Sequence, residues 1–237
     1  MRKFIRGKNG NGSPYALIRL LFPGNDGARP HFGIKEKGIV KHWTDALALN
    51  KDSSAYHKLS KYTDPSYTSV TAQGDLSQAI QEVLEIRIGN SLNRQVTIGQ
   101  MNKLFDELIA IKNNTLLKGG EKSKAKTAWV NKLIQHGLSA LEHKWIVRII
   151  LHKCEIGIGF ETFISYLHDR AKHIYNSHRS LKYLCSALSD QKWLTHYIEK
   201  YQAREKEALQ HKRSVYMPRV DEDVSVGITL APHLSSR

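Results

Sequence analysis

The sequence LEHKWIVRIILHKCEIGIG, residues 141–159, holds the most apolar helical pattern of the chain and the turn that ends it. Apolar residues from Leu141 to Cys154 cover most of a helical surface, which predicts a central helix. Gly157 and Gly159 interrupt this pattern, and a further helix is predicted from Phe160 to His168. The stretch therefore predicts a helix, a glycine turn and a second helix at the centre of the fold.

Helical spacing of apolar residues continues on both sides of this stretch. Thr97 and Ser180 stand where their hydroxyl groups can cap the helices that follow, and Asp52, Ser53 and Ser54 are three candidates for the cap of a helix that ends at Leu59. The remaining helices are predicted at residues 15–21, 34–49, 54–59, 75–84, 97–109, 123–134, 181–188 and 193–211. The sequence therefore predicts an all-α fold without internal repeats.

The 237 residues suffice for one large domain or two small ones, and we expect one helical domain over residues 15–215. Residues 1–14 include the glycine-rich sequence GKNGNGSP and are predicted to be flexible. Residues 216–237 contain Pro218, an acidic run and Gly227, which indicate an exposed linker.

Positive charge dominates the composition, with 36 Lys and Arg against 22 Asp and Glu and a formal net charge of +14. This balance favours a polyanionic partner, with nucleic acid as the leading candidate and a ribosome-associated or organellar protein as the alternative. No apolar stretch reaches the roughly 20 residues that span a bilayer, so no membrane partner is expected. The N-terminus lacks a secretory signal, and Cys154 and Cys185 are expected to stay reduced inside the cell.

No constellation of residues predicts catalysis, a metal ion or a bound nucleotide. His168, His173 and His178 are spaced by five, which does not place imidazoles on one helical face. The carboxylate neighbours Glu82 with Glu85, and Asp106 with Glu107, are typical of solvated helix faces. The stretch GGEKS, residues 119–123, has Glu121 where a phosphate-binding loop needs its lysine.

Two segments suit phosphate. In the first, Ser123 is predicted to begin a helix whose free amides attract an anion, beside Lys122, Lys124 and Lys126. The alternative is a solvated basic loop. In the second, Gly157 and Gly159 would let backbone amides approach a phosphate closely at a helix entrance, the alternative being a plain interhelical turn.

Several stretches resemble DNA ligase IV, a eukaryotic ATP-dependent DNA ligase. Residues 29–36, RPHFGIKE, resemble the family's R-x-x-[YF]-G-[IL]-K-E, and residues 141–150 are similar to its LEQKWLIRMII. Gly157-Ile158-Gly159 follows at the family's spacing. These matches are collinear from about Tyr15 to Leu188, and their common order makes the resemblance specific.

The resemblance implies the helical DNA-binding domain of a ligase, which grips duplex DNA across the minor groove near a nick or break. The family's two phosphate-holding segments match Ser123–Lys126 and Gly157–Thr162, so Thr162 joins the candidate site residues. The implied process is nonhomologous end joining in the nucleus, with end-joining repair proteins as further partners. Arg148 and Lys144 lie in the most apolar helix and are interpreted as structural.

Departures from the family limit this expectation. The family attaches AMP to the lysine of a K-x-D-G motif, and this motif does not occur here. The chain alone is therefore expected to seal no nick and to bind no cofactor. ATP and Mg are the cofactors of the intact ligase family. The domain is expected to lack the family's first helices. Glu155 replaces a commonly basic residue beside Gly157. A helical scaffold that docks repair proteins without tight DNA binding is the alternative function.

Overall fold

The first unit of the fold is a layered set of helices. The computed structural model describes residues 14–29, 31–88 and 96–210. Tyr15–Ile158 form one compact unit, and 159–210 belong to the other. The helices of the first unit, apart from a 3₁₀ turn at Pro23–Asn25, are α1 (Tyr15–Leu21), α2 (Glu36–Ala46), α3 (Ser54–Ser60), α4 (Leu76–Ile88), α5 (Ile98–Asn113), α6 (Gly119–Gln135) and α7 (Ala140–Ile150).

Hydroxyl caps set several of these helix starts, as the sequence predicts. Thr97 accepts a hydrogen bond from the N–H of Gln100, and the Gln100 side chain accepts one from the N–H of Thr97. Ser53 caps α3, and Ser139 with Glu142 forms the same reciprocal pair at α7. These bonds satisfy amides that have no partner within the helix.

The core of the first unit lies where α4 packs along α7 and α2 packs along α6. Trp43, Phe105 and Trp129 are buried there, and the Trp129 indole N–H donates to the Leu104 carbonyl oxygen at 2.7 Å. Helix α7 is central, as predicted, although Leu141 and Trp145 on its outer side are exposed.

Polar contacts join α7 to the start of α4. The Arg148 guanidinium donates to Asp75 at 2.9 Å and to the Ser77 hydroxyl at 3.1 Å, while Lys144 donates to the Gln78 side chain. Asp75 also accepts the N–H groups of Ser77 and Gln78 and thereby caps α4. Arg148 and Lys144 therefore hold two helices together, in line with their structural interpretation.

The second unit contains four further helices among its described residues: α8 (Phe160–Leu167), α9 (Ala171–His178), α10 (Leu181–Ser189) and α11 (Gln191–Gln210). Helix α9 was not predicted. Trp193 stacks on Tyr197 in the interior of this unit, with ring centroids 4.9 Å apart. The described residues are helical and contain no strand, which confirms the all-α prediction.

The structure divides the chain into two compact units at the glycine turn, between Ile158 and Gly159. The single domain over 15–215 stays a prediction. Of the predicted flanking segments, 1–13 and 216–237 lie outside the described residues. No helix in the described part of the chain is both long enough and apolar enough to cross a membrane.

Candidate nucleic-acid interface

The start of α6 differs from the prediction. Ser123 was expected to begin this helix, but the helix begins four residues earlier, at Gly119. Glu121 causes the difference, because its carboxylate accepts the N–H of Lys118 at 2.9 Å and stabilises a turn that starts there. Ser123 therefore lies in the second turn of α6, and its hydroxyl accepts from the Lys41 ammonium at 2.9 Å.

The first turn of α6 leaves its backbone open to solvent. Gly119 and Gly120 are exposed, and no atom lies within 4 Å of the place where a Cβ would stand on either residue. The N–H groups of this turn carry the positive end of the helix dipole, so an anion can approach them closely. The Glu121 carboxylate in the same turn opposes that attraction, and the lysines nearby must outweigh it.

Four lysines lie along α6: Lys122 and Lys126 belong to this helix, Lys41 belongs to α2 and Lys112 to α5. The Lys112 ammonium donates to the His31 carbonyl oxygen at 2.6 Å, Lys122 to that of Lys112 at 3.2 Å, and Lys126 to that of Gly33 at 3.0 Å. We call these residues, together with Lys41, the lysine cluster. Each of its four ammonium groups donates to an uncharged oxygen.

The lysine cluster carries uncompensated positive charge. Burial lowers the pKa of Lys126, and the charges of Lys122 and Lys112 lower it further. Burial also lowers the pKa of His42 to about 4, with Lys126 and Lys41 adding to the effect. Within the described ranges no carboxylate forms an ion pair with a member of the cluster. A bound anion would relieve this repulsion.

Lys124 and Lys132 lie on the same helix in opposite situations. Lys124 is exposed and has no hydrogen-bond or ion-pair partner among the residues that the structure describes. Lys132 forms an ion pair with Glu107 at 2.7 Å. Lys124 is thus available to an external anion, whereas Lys132 already has a carboxylate partner.

The second predicted segment falls at the boundary of the two units. Gly157 is the next-to-last residue of the first unit, and its φ of +75° favours glycine. In the second unit Gly159 is the N-cap of α8 without a side-chain cap, and Thr162 is exposed in the first turn. Nothing lies within 4 Å of a Cβ placed on either glycine. The exposed carboxylates of Glu155 and Glu161 make this segment less cationic than the start of α6.

The structure therefore gathers Lys122, Ser123, Lys124 and Lys126 on one helix and adds residues that the sequence did not reveal. Gly119 and Gly120 could have been found from the Lys118-x-x-Glu121 spacing, which resembles a capping pattern. Lys41 and Lys112 carry no local signal, because only the packing of α2, α5 and α6 brings them together.

The groups screened for catalysis serve structural roles. Glu82 pairs with Lys58, Asp106 with Arg29 and Glu107 with Lys132. His168 and His173 have separate partners, the N–H of Arg170 and the Tyr197 hydroxyl. The ring of His178 contacts that of Tyr183, with centroids 3.8 Å apart and the planes tilted by 42°. In the described ranges no three His, Cys, Asp or Glu side chains are grouped to hold a metal ion.

The fold and the site define a protein of two all-helical units, the first of which carries a cluster of four lysines without carboxylate partners among the described residues. The sequence matches the profile of the family described as DNA ligase N terminus over residues 1–168. The chain therefore belongs to the DNA ligase N-terminal family, and the resemblance seen in the sequence is confirmed.

Relatives named DNA ligase 4 share this similarity. The protein of Gallus gallus is 31% identical over 176 residues, which cover 74% of this chain and 18% of that protein. The protein of Homo sapiens is 30% identical over 176 residues, with the same coverage of 74% and 18%. The putative DNA ligase 4 of Oryza sativa subsp. japonica is 26% identical over 236 residues, 98% of this chain and 16% of that protein. The chain thus spans less than a fifth of the length of these relatives.

Proposed function

We propose that this chain binds duplex DNA through its phosphates, without sequence preference, as the N-terminal domain of an ATP-dependent DNA ligase. The lysine cluster is the observation that carries the proposal. Its four ammonium groups lie around α6 without carboxylate partners, and Lys124 adds an exposed charge. Neutralising such charges with phosphates releases counterions from DNA, which drives binding.

The chemistry of this face favours backbone contacts over base recognition. Lysines act as point charges on flexible stems, whereas the planar groups of Arg, Asn and Gln suit paired hydrogen bonds to a base edge in a groove. The cluster itself consists of lysines, and Gly119 and Gly120 offer backbone amides that suit a phosphate oxygen. Binding is therefore expected to depend on salt and to be similar across sequences.

The relatives support the cellular setting of the proposal. They are named DNA ligase 4, in agreement with the resemblance seen in the sequence. From that resemblance we propose a role in double-strand break repair by nonhomologous end joining in the nucleus, on DNA with a nick or break and together with end-joining repair proteins. We assign ATP and Mg to other parts of the intact ligase, because no K-x-D-G lysine occurs in this sequence.

The deciding experiment is a fluorescence-anisotropy titration of the whole chain with nicked and intact duplex DNA at several salt concentrations. The double variant Lys124→Glu with Lys126→Glu is expected to bind more weakly to every sequence. Its slope of log affinity against log salt is expected to be shallower by about 1.8, since each phosphate contact contributes about 0.9.

Two further variants make the result interpretable. The double variant Lys132→Gln with Glu107→Gln removes an ion pair of the same helix without changing the net charge, and it is expected to leave the salt slope unchanged. Lys124→Glu alone tests an exposed position whose replacement leaves the fold intact. Equal loss in the Lys132 and Lys124 variants would refute the site. Salt-insensitive binding to a repair protein, with no DNA binding, would favour the scaffold alternative.

A further inference from the structure

Leu116 is an exposed leucine in the loop that connects α5 to α6. Its side chain is 88% exposed, while the neighbouring Leu117 is partly buried. The loop thus turns one of two adjacent leucines inward and presents the other to solvent.

Hydrogen bonds hold this loop at both ends. The Asn114 N–H donates to the Ala110 carbonyl oxygen at 2.9 Å, and the Asn114 side-chain oxygen accepts the Leu116 N–H at 2.9 Å. Lys118 at the other end donates its N–H to Glu121. Leu116 is therefore presented at a defined position.

Lysines lie on both sides of this leucine. Lys112 precedes the loop, Lys118 and Lys122 follow it, and Lys122 spans the gap by donating to the Lys112 carbonyl oxygen. A single exposed leucine is ordinary on a protein surface. This one lies in the chain between Lys112 and Lys118, beside the start of α6, which the proposed function places against DNA phosphates.

The apolar surfaces that duplex DNA offers to such a side chain are its sugars and the faces of its base pairs. Leucine is among the residues that proteins insert between base steps, and unstacking the step is the cost of that insertion. At a nick the backbone of one strand is interrupted, so the adjacent base pairs separate more easily than in continuous duplex.

Resting on the proposed function, we infer that Leu116 is a wedge that packs against a base pair beside a strand break. The lysines hold the phosphates on either side, and the leucine supplies the apolar contact that phosphates cannot give. This division of roles makes the lysines responsible for affinity and Leu116 responsible for the preference for broken over continuous duplex.

The test uses the full chain and two dumbbell DNAs of one sequence with closed ends, one continuous and one with a single nick. Leu116→Ala is expected to lower affinity for the nicked DNA about tenfold, the loss that follows when burial of a leucine side chain is removed. Affinity for the continuous DNA and the salt slope are expected to stay unchanged. Leu116→Met keeps an apolar wedge and is expected to retain the preference for the nick.

A matched control and a second readout complete the design. Val70, 94% exposed in the loop between α3 and α4, is replaced by alanine and is expected to change neither affinity. 2-Aminopurine placed beside the nick is expected to brighten when the wild type or Leu116→Met binds, because its stacking is lost, and not when Leu116→Ala binds.

The failure of this inference can be told apart from that of the proposed function. Salt-dependent binding by the wild type, with the same preference for the nick and the same brightening in Leu116→Ala, would overturn the wedge alone. Failure of the wild type to bind either dumbbell would overturn both the proposed function and the wedge.

Discussion

Acid should destabilise the first unit through His143, a fully buried histidine on α7. Its ring meets the ring of Trp43 edge-on, with centroids 6.2 Å apart, and neither ring nitrogen has a hydrogen-bond partner. Burial lowers the pKa of His143 to about 4, because the charged imidazolium would lose its hydration. The substitution that tests this effect is His143→Leu.

The sign and size of the effect follow from linkage. In the unfolded chain a histidine binds its proton near pH 6.5, so between pH 6.5 and pH 4 the unfolded state carries a proton that the folded state lacks. The free energy of unfolding therefore falls as the pH falls through this window, by about 2.5 kcal/mol at pH 4.5 for this residue. Below pH 4 both states are protonated, and the contribution of His143 levels off.

The assay is urea unfolding, followed by tryptophan fluorescence, at pH 7.5, 6.5, 5.5 and 4.5. The free energy of unfolding of His143→Leu minus that of the wild type is expected to rise by about 2.5 kcal/mol between pH 7.5 and pH 4.5. His143→Met should give the same rise, because it also removes the titrating group. A difference that stays constant with pH in both variants would refute the reasoning.

Three further substitutions test other contacts. Asp106→Ala removes the carboxylate that accepts a hydrogen bond from the fully buried Arg29 at 2.7 Å. Urea unfolding should show that the free energy of unfolding falls by about 2 to 3 kcal/mol, because a buried charge loses its partner. A fall below about 1 kcal/mol would contradict this view of the pair. Gly33→Ala places a Cβ at a φ of +69° and 3.2 Å from the Lys112 side chain. The free energy of unfolding is expected to fall by about 1 kcal/mol, and anisotropy should show weaker DNA binding. Unchanged values of both would show that the loop adapts. Ser139→Ala removes the cap of α7 and should cost about 1 kcal/mol in thermal or urea unfolding, with unaltered DNA binding as its internal control.

The sequence predicted helices well where the local chemistry was decisive. Thr97 and Ser180 cap the helices that their hydroxyl groups predicted. Among the three candidates Asp52, Ser53 and Ser54, the structure assigns the cap to Ser53. The α6 start was misplaced because a serine among lysines suggested a cap, whereas the carboxylate of Glu121 three residues after Lys118 stabilises an earlier turn. Helix α9 was missed because its residues are mostly polar, and it packs against neighbouring helices through Ala171, Ile174 and Tyr175.

The sequence predicted only some of the residues of the candidate site. Lys122, Lys124 and Lys126 share one stretch of the sequence, but the prediction began the helix at Ser123 and left Lys122 before it. The structure places all three lysines on α6. Ser123, predicted as a helix cap, instead accepts a hydrogen bond from Lys41, 82 residues away in the chain. The roles of Gly157, Gly159 and Thr162 remain predictions, and the structure places them in two separate units.

The sequence by itself determined the helical class, the family and the positive charge, because apolar periodicity, collinear motifs and composition are properties of the chain that need no folding to be read. Only the tertiary structure decided which charges stay unpaired. Lys132 and Lys124 are both lysines of α6, yet one meets Glu107 from α5 and the other meets solvent. Charge compensation depends on distances of a few ångströms between residues far apart in the chain, and packing alone sets those distances.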